Sequence, residues 1–253
     1  MKESINIAVT GKGGTGKSTI STLIIKALYE TKKKIILAID ADPNYNLDVK
    51  LGLETKRTIG DMREELRKSG DENPGGMSKS QFVEYQLKIL IEEGDKFDLL
   101  TMGRQEGTGC YCYINNVLRH LIDTLSANYP YIVIDNDAGM EHLSRRTDQH
   151  MDFLIIASDA TKVGLMTAAR IRDMALEMEL VHGNVILVVN NAPSPFPEFL
   201  DTLVKELSFD NVYIIPYDAE VFDRNARGLS LLDVPRDSSA NTMVGCIVKE
   251  HLL

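Results

Sequence analysis

The 253-residue sequence has no tryptophan and only three cysteines, Cys110, Cys112 and Cys246. Three thiols in a chain of this length do not make a disulfide framework, so the sequence reads as one for a reducing, cytoplasmic compartment. No apolar run approaches the roughly 18 residues of a membrane span. The start, Met1-Lys-Glu-Ser-Ile5, lacks the apolar core of a signal peptide. Basic residues are in deficit: 28 Lys and Arg stand against 37 Asp and Glu, a net charge of −9. A broad basic surface is therefore not expected, and neither nucleic acid nor a membrane is an expected partner. Internal repeats, low-complexity tracts and long linkers are also missing, so residues 1–253 read as a single domain. The remaining composition, 43% hydrophobic and 26% charged, is that of an ordinary globular chain.

What the sequence does have is Gly11-Lys-Gly-Gly-Thr-Gly-Lys-Ser-Thr19, in which Gly11, Gly16, Lys17 and Ser18 fit the phosphate-loop spacing. A β-branched run, Ile5–Thr10, precedes it as a strand, and Ile20–Glu30 follows as a helix. Glycines let the backbone of Gly13, Gly14, Thr15 and Gly16 approach phosphate oxygens with no Cβ in the way. N–H groups of the loop and of the first helical turn, through Thr19, then face the anion. Lys17 would reach the outer phosphates, and the Ser18 hydroxyl would hold magnesium. Lys12 is a second lysine at a point where phosphate binding alone requires no charge. It is either a solvated surface residue or a further cation for the phosphates.

Strand and helix patterns alternate along the chain, which predicts an α/β fold: a mostly parallel sheet with helices on both faces. Strands are expected at Lys34–Ile39, Phe97–Met102, Tyr131–Ile134, Phe153–Ala157, Val185–Val189 and Val212–Ile215. Helices are expected at Thr58–Lys68, Ser78–Glu92, Tyr113–Asn128, Leu165–Val181 and Glu198–Leu207, with another after Pro235 and a loop at Ser69–Met77. Met174, Met178 and Cys246 read as core residues.

Ligands of open α/β sheets gather at the carboxyl ends of strands. Asp40-Ala-Asp42-Pro follows the second strand. There Asp42 suits an attacking water and Asp40 suits indirect support of magnesium, or the pair makes an Asp-Pro turn that caps a helix. Asp135 ends an apolar strand, as a second magnesium anchor would. Gly139 gives the following segment freedom to move with the γ-phosphate. Asn190 and Asn191 are placed to read a base edge, and Pro216-Tyr-Asp218 to close over base or ribose. Helix capping and turn formation are the other reading of those residues.

Cys110-Tyr-Cys112 lies on a glycine-rich loop ahead of a helix. N–H dipoles there favour thiolate, and soft thiolates suit nickel, zinc or monovalent copper. A stable four-coordinate site needs more ligands than this loop offers. A two-fold dimer would supply four sulfurs around one ion. Inert thiols or a redox pair are the alternatives.

The Lys12–Thr19 form resembles the deviant phosphate loop of the MinD, ParA and nitrogenase-iron-protein ATPases. That resemblance implies ATP and ADP as ligands, a nucleotide-sandwich homodimer, and Lys12 reaching the partner's phosphates in the manner of an arginine finger. Asp40-Ala-Asp-Pro-Asn44, Cys110/Cys112 and Asp135-Asn-Asp-Ala-Gly-Met-Glu-His-Leu-Ser-Arg-Arg146 are similar to the CooC family of nickel-insertion ATPases. The likeness implies ATP-driven closure and reopening, Ni²⁺ or Zn²⁺ held between protomers, and a nickel-containing carbon monoxide dehydrogenase as client. Asp137 stands where the family is expected to carry glutamate; the charge is kept. His142, Arg145 and Arg146 belong either to the moving switch or to a solvated helix face. Two other classes remain: a reductase with an intersubunit iron–sulfur cluster, and a positioning ATPase. The first lacks a cysteine anywhere in Asp135–His150, and the second lacks a basic tail, since Ser238–Leu253 carries only Lys249 besides His251.

Overall fold

The computed structural model describes residues 4–32, 35–69, 85, 89–104, 128–137, 151–181 and 184–253. Among the described residues, eight strands form one sheet in the order β3-β4-β2-β5-β1-β6-β7-β8. They are β1 (Ile5–Gly11), β2 (Ile36–Asp40), β3 (Ile91–Glu93), β4 (Phe97–Thr101), β5 (Tyr131–Asp135), β6 (Phe153–Asp159), β7 (Val185–Ala192) and β8 (Asn211–Pro216). Every pairing is parallel except β3 with β4. Parallel strands covered on both faces read as unbroken apolar runs, and β2 and β5 are buried from end to end.

The period-two alternation of the strands divides the core. Ile7, Val9, Ile36, Ala38, Val133 and Ile155 point to one face. There they meet α1 (Lys17–Lys32), α2 (Leu47–Leu51) and α7 (Ser239–Ile247). Ala8, Leu37, Ile39, Ile132 and Ile156 point to the other, under α3 (Ile59–Ser69), α4 (Lys162–Glu177) and α5 (Glu198–Glu206). Helix α1 is apolar nearly all round: Ile20, Leu23, Ile24, Ile25 and Leu28 are wholly buried between sheet and α7. Lys26 is buried on the same helix, and burial pulls its ammonium below the ordinary lysine range. It donates to the Val234 carbonyl, just past the short 3₁₀ turn Leu231–Asp233.

Several expectations need correction. The apolar end of the expected helix Ser78–Glu92 is strand β3, whose Ile91, Glu92 and Glu93 pair antiparallel with Leu100, Leu99 and Asp98. A three-residue strand is too short for periodicity to reveal; it exists because β4 offers an open edge. Tyr85 and Ile89 are helical, and the rest of 70–88 lies outside the described residues. Helix α4 stops at Glu177, after which Glu179 adopts φ +54° and Val181 bridges to Met151. Met174 and Met178 are 49% and 39% exposed, so they are surface residues rather than core filler. Cys246 is likewise exposed, on the outer side of α7. Helix α6 (Ala219–Arg227) is not among the expected helices; none of its residues is buried, and its apolar side is only Val221 and Phe222, too short a stripe to mark a helix in the sequence. The expected loop over 70–77 and helix over 113–127 fall outside the described residues. No helix among the described residues is long and apolar enough to cross a membrane.

The phosphate loop leaves β1 at Gly11, which pairs with Ala157 at φ +144°. A Cβ on Gly11 would lie 2.2 Å from the Ala157 carbonyl oxygen. Gly11→Ala should therefore cost about 2 kcal/mol or more, through both the φ and the clash. A lowered urea midpoint with unchanged slope checks this; an unchanged midpoint would mean that β1 and β6 can separate freely at that end.

Candidate functional site: a phosphate trough at the carboxyl ends of the strands

The loop after β1 folds on itself: the Thr15 hydroxyl donates to the Lys12 carbonyl at 2.8 Å. Helix α1 then begins at Lys17, earlier than the apolar pattern from Ile20 suggests. Its first turn contains no acidic residue, so no carboxylate of the helix itself faces that end of the helix dipole. Gly16 has φ +89°, and a Cβ there would strike the Asn190 amide nitrogen at 2.2 Å. Asn190 donates that nitrogen to the Thr15 carbonyl at 2.9 Å. The amide expected at a base edge is thus also a strut under the phosphate loop. Asn191, in the irregular end of β7, has φ +52°.

The expected acidic residues converge. Asp40 and Asp135 end β2 and β5 and are register partners in that parallel ladder. Both are buried. Asp40 accepts backbone N–H bonds from Asp42 at 3.1 Å, Asn46 at 3.0 Å and Leu47 at 2.9 Å. Burial and the neighbouring Asp135 nevertheless push its carboxyl up to about 7. Asp135 accepts the Ser21 hydroxyl at 3.0 Å, and the Ser18 hydroxyl lies near enough to favour its charged form. Burial pushes it up to about 6, against the pull of those hydroxyls and the Lys17 charge. Lys17, Ser18 and Asp135 therefore form one cluster at the N-terminus of α1. Asp42 sits beyond it in a turn, its carboxylate accepting the Asn44 N–H at 2.8 Å.

Two cavities flank the loop. One, of about 510 Å³, is lined by Lys17, Ser18, Asp42, Lys50 and Leu229 among others. A second, of about 240 Å³, is lined by Asp159, Asn190, Asn191, Pro216, Asp218 and Phe222 among others. Gly14, Gly16, Thr19 and Asn225 line both, so the cavities adjoin as a trough along the loop. Such a trough suits an elongated anion with an apolar head. A third cavity, of about 530 Å³, lies across the Asp42 turn, where Arg104 donates to the Asn44 amide oxygen at 2.7 Å.

Asp218 lines the trough, but its oxygens are engaged. They accept the N–H groups of Glu220 and Val221 at the start of α6, and the Ser238 and Ser239 hydroxyls and the Ala240 N–H at the start of α7. Burial acts to raise this carboxyl, but the donors outweigh it and hold it at about 2. The capping alternative describes this residue. Lys12 is half exposed and lies 3.6 Å from Asp159 at the end of β6. Sequence reading missed Asp159, although an acid closing an apolar strand is the same signal that marked Asp40 and Asp135. Cys110, Cys112, Gly139, His142, Arg145 and Arg146 lie outside the described residues. Among the described residues no cluster of His, Cys, Asp and Glu is arranged to hold a metal by itself. Magnesium held together with a phosphate is a different case: the Ser18 hydroxyl beside the Asp135 carboxylate is a fitting hard-oxygen pair for it.

Comparison with known proteins agrees with this geometry. Residues 7–232 match the CobQ/CobB/MinD/ParA nucleotide binding domain, and the chain belongs to that family of P-loop ATPases. An uncharacterized ATP-binding protein of Methanocaldococcus jannaschii is 44% identical over 92% of both chains. The carbon monoxide dehydrogenase accessory protein CooC of Rhodospirillum rubrum is 28% identical over 91% of this chain and 90% of its own. Among solved structures, the septum site-determining protein MinD of Pyrococcus horikoshii, in complex with Mg-ADP, superposes with a TM-score of 0.69. That match is 18% identical and covers 97% of this chain and 95% of the other. The fold is thus the MinD/ParA-like P-loop fold.

The buried carboxylates give a pH prediction. Asp40 and Asp135 titrate at about 7 and about 6 when folded, against roughly 4 in an unfolded chain. The folded state then binds more protons than the unfolded state between these values. Their contribution to stability grows as pH falls through the folded values and is lost as pH rises through them. Unfolding free energies of the nucleotide-free protein, from urea titrations at about pH 5.5 and about pH 8, should differ more for wild type than for Asp135→Asn, by on the order of 1 kcal/mol. Equal differences would show that Asp135 stays ionised throughout.

Proposed function

We propose that the chain is an ATP-hydrolysing metallochaperone that inserts nickel into carbon monoxide dehydrogenase, and that it works as a homodimer closed by ATP and metal. The observation that carries the ATPase part is the cluster of Lys17, Ser18 and Asp135 at the N-terminus of α1, with Asp42 across the cavity. In this reading N–H groups from Gly13 to Thr19 and the Lys17 ammonium cradle the β- and γ-phosphates. Magnesium, when bound with nucleotide, neutralises phosphate charge; Ser18 and Asp135 would hold it, and Asp40 keeps the Asp42 turn in place. Asp42 orients the water that attacks the γ-phosphorus, giving ADP and inorganic phosphate. Lys12 leaves Asp159 and stabilises charge on the partner's nucleotide. Asn190 and Pro216 bound the base side of the trough, with Asp218 fixing the helices behind them.

The metal is cargo rather than a resident cofactor. Its proposed ligands are Cys110 and Cys112 of each protomer, four thiolates around one Ni²⁺ or Zn²⁺. The likeness to the Rhodospirillum rubrum accessory protein supports this part, together with the Cys-x-Cys pair in the sequence. The acidic net charge of −9 supports a reading without nucleic acid or membrane as partner, and the sparse cysteines support a reducing, cytoplasmic setting.

Metal titration of wild type and Cys112→Ser, with ADP and with a non-hydrolysable ATP analogue, tests this reading when oligomer mass is followed. One ion per two chains is expected, lost in the variant. One ion per monomer with unchanged mass would reject the shared site. A brown protein after anaerobic purification would point to the reductase, and ATP-dependent liposome or DNA binding to a positioning ATPase. Separately, Lys12→Ala should keep ADP affinity and lose roughly a hundredfold or more in turnover. Unaltered turnover would remove Lys12 from the mechanism.

A further inference from the structure

The trough has a cation that the phosphate-loop pattern does not supply. Lys50 lies on α2 and lines the larger cavity, on the wall facing Gly14, Lys17 and Ser18. Its ammonium donates to the Asn225 amide oxygen on α6, so it bridges the two helices that form that wall. Asn225 is itself fixed, donating to the Val221 carbonyl at 2.9 Å. The backbone around Lys50 is fixed too, since its carbonyl accepts the Ser230 hydroxyl at 3.1 Å. A half-buried ammonium with a neutral amide as its side-chain partner is under-compensated, because that partner brings no opposite charge to offset desolvation. Burial pulls Lys50 below the ordinary lysine range, opposed by the charge of Asp135.

Position decides what this cation meets. Lys17, Ser18 and Asp42 mark the outer-phosphate end of the trough, and Asn190 and Pro216 mark the base end. Asn225, the partner of Lys50, is among the residues that line both cavities and so sits between the ends. The part of a nucleotide that lies between base and outer phosphates is the ribose with the α-phosphate, and of these an ammonium selects the anion. We infer that Lys50 is a nucleotide-binding residue that exchanges the Asn225 amide for an α-phosphate oxygen. It then joins α2, and with it the turn carrying Asp42, to the bound nucleotide. This inference rests on the nucleotide reading of the trough.

Calorimetric titration of ADP and AMP into wild type, Lys50→Gln and Lys50→Arg tests it at low and high salt. Glutamine can still donate to Asn225 but carries no charge, so a purely structural role survives in that variant. Lys50→Gln should keep the urea midpoint of the free protein and weaken ADP and AMP by a similar factor, about tenfold or more. Its affinity should depend less on salt than that of wild type, and Lys50→Arg should recover most of the loss. ADP affinity unchanged in Lys50→Gln, while wild type binds ADP, overturns the inference and leaves the nucleotide reading standing. A loss for ADP with none for AMP also overturns it, by moving the contact to the β-phosphate. Failure of wild type to bind any adenine nucleotide overturns the nucleotide reading and this inference together.

Discussion

Parallel pairing of β2 with β5, last residue beside last residue, sets two buried carboxylates next to each other at the carboxyl edge of the sheet. Like charges in a low-dielectric setting repel strongly, and each also resists desolvation. The chain answers the two differently. Asp40 is given three backbone N–H donors, which wraps the segment from Asp42 to Leu47 around it. Asp135 is given Ser18, Ser21 and the charge of Lys17, which fixes the first turn of α1 over the end of β5. The Asp42 turn, the start of α2 and the first turn of α1 are thus all tied to these two carboxylates, whose burial is the larger of the two costs.

The far side of the site is organised by another carboxylate. Asp218 receives five hydrogen bonds from the starts of α6 and α7 and acts as the joint between them. Helix α7 packs on α1, while α6 forms the wall opposite the phosphate loop. A chain of net charge −9 thus buries Asp40 and Asp135 and engages Asp218 in capping at the site, while Lys17 and Lys50 line the larger cavity of the trough.

Much of this was readable in advance, for identifiable reasons. The glycine loop declares itself because its geometry admits few other residues: a side chain at Gly11 or Gly16 would collide with Ala157 or Asn190. The long buried strands declare themselves because both faces are apolar. Elements without an apolar signature escaped. Helix α6 offers only Val221 and Phe222 as large apolar residues, and β3 is three residues whose strand state depends on the edge of β4. Met174 and Met178 looked like core because methionine usually is, yet α4 turns that side of itself outward.

The sequence by itself determined the class of fold, the phosphate loop and the acids that end β2 and β5, because local spacing and strand hydrophobicity suffice for these. Only the tertiary structure decided what each polar side chain does there. Asn190 became a strut, Asp218 a double cap, Asp159 the partner of Lys12 and Lys50 a wall of the trough. These roles depend on residues distant in sequence meeting in space, where hydrogen-bond donors and charges must be paired once water is excluded. No local pattern in the chain encodes such pairings.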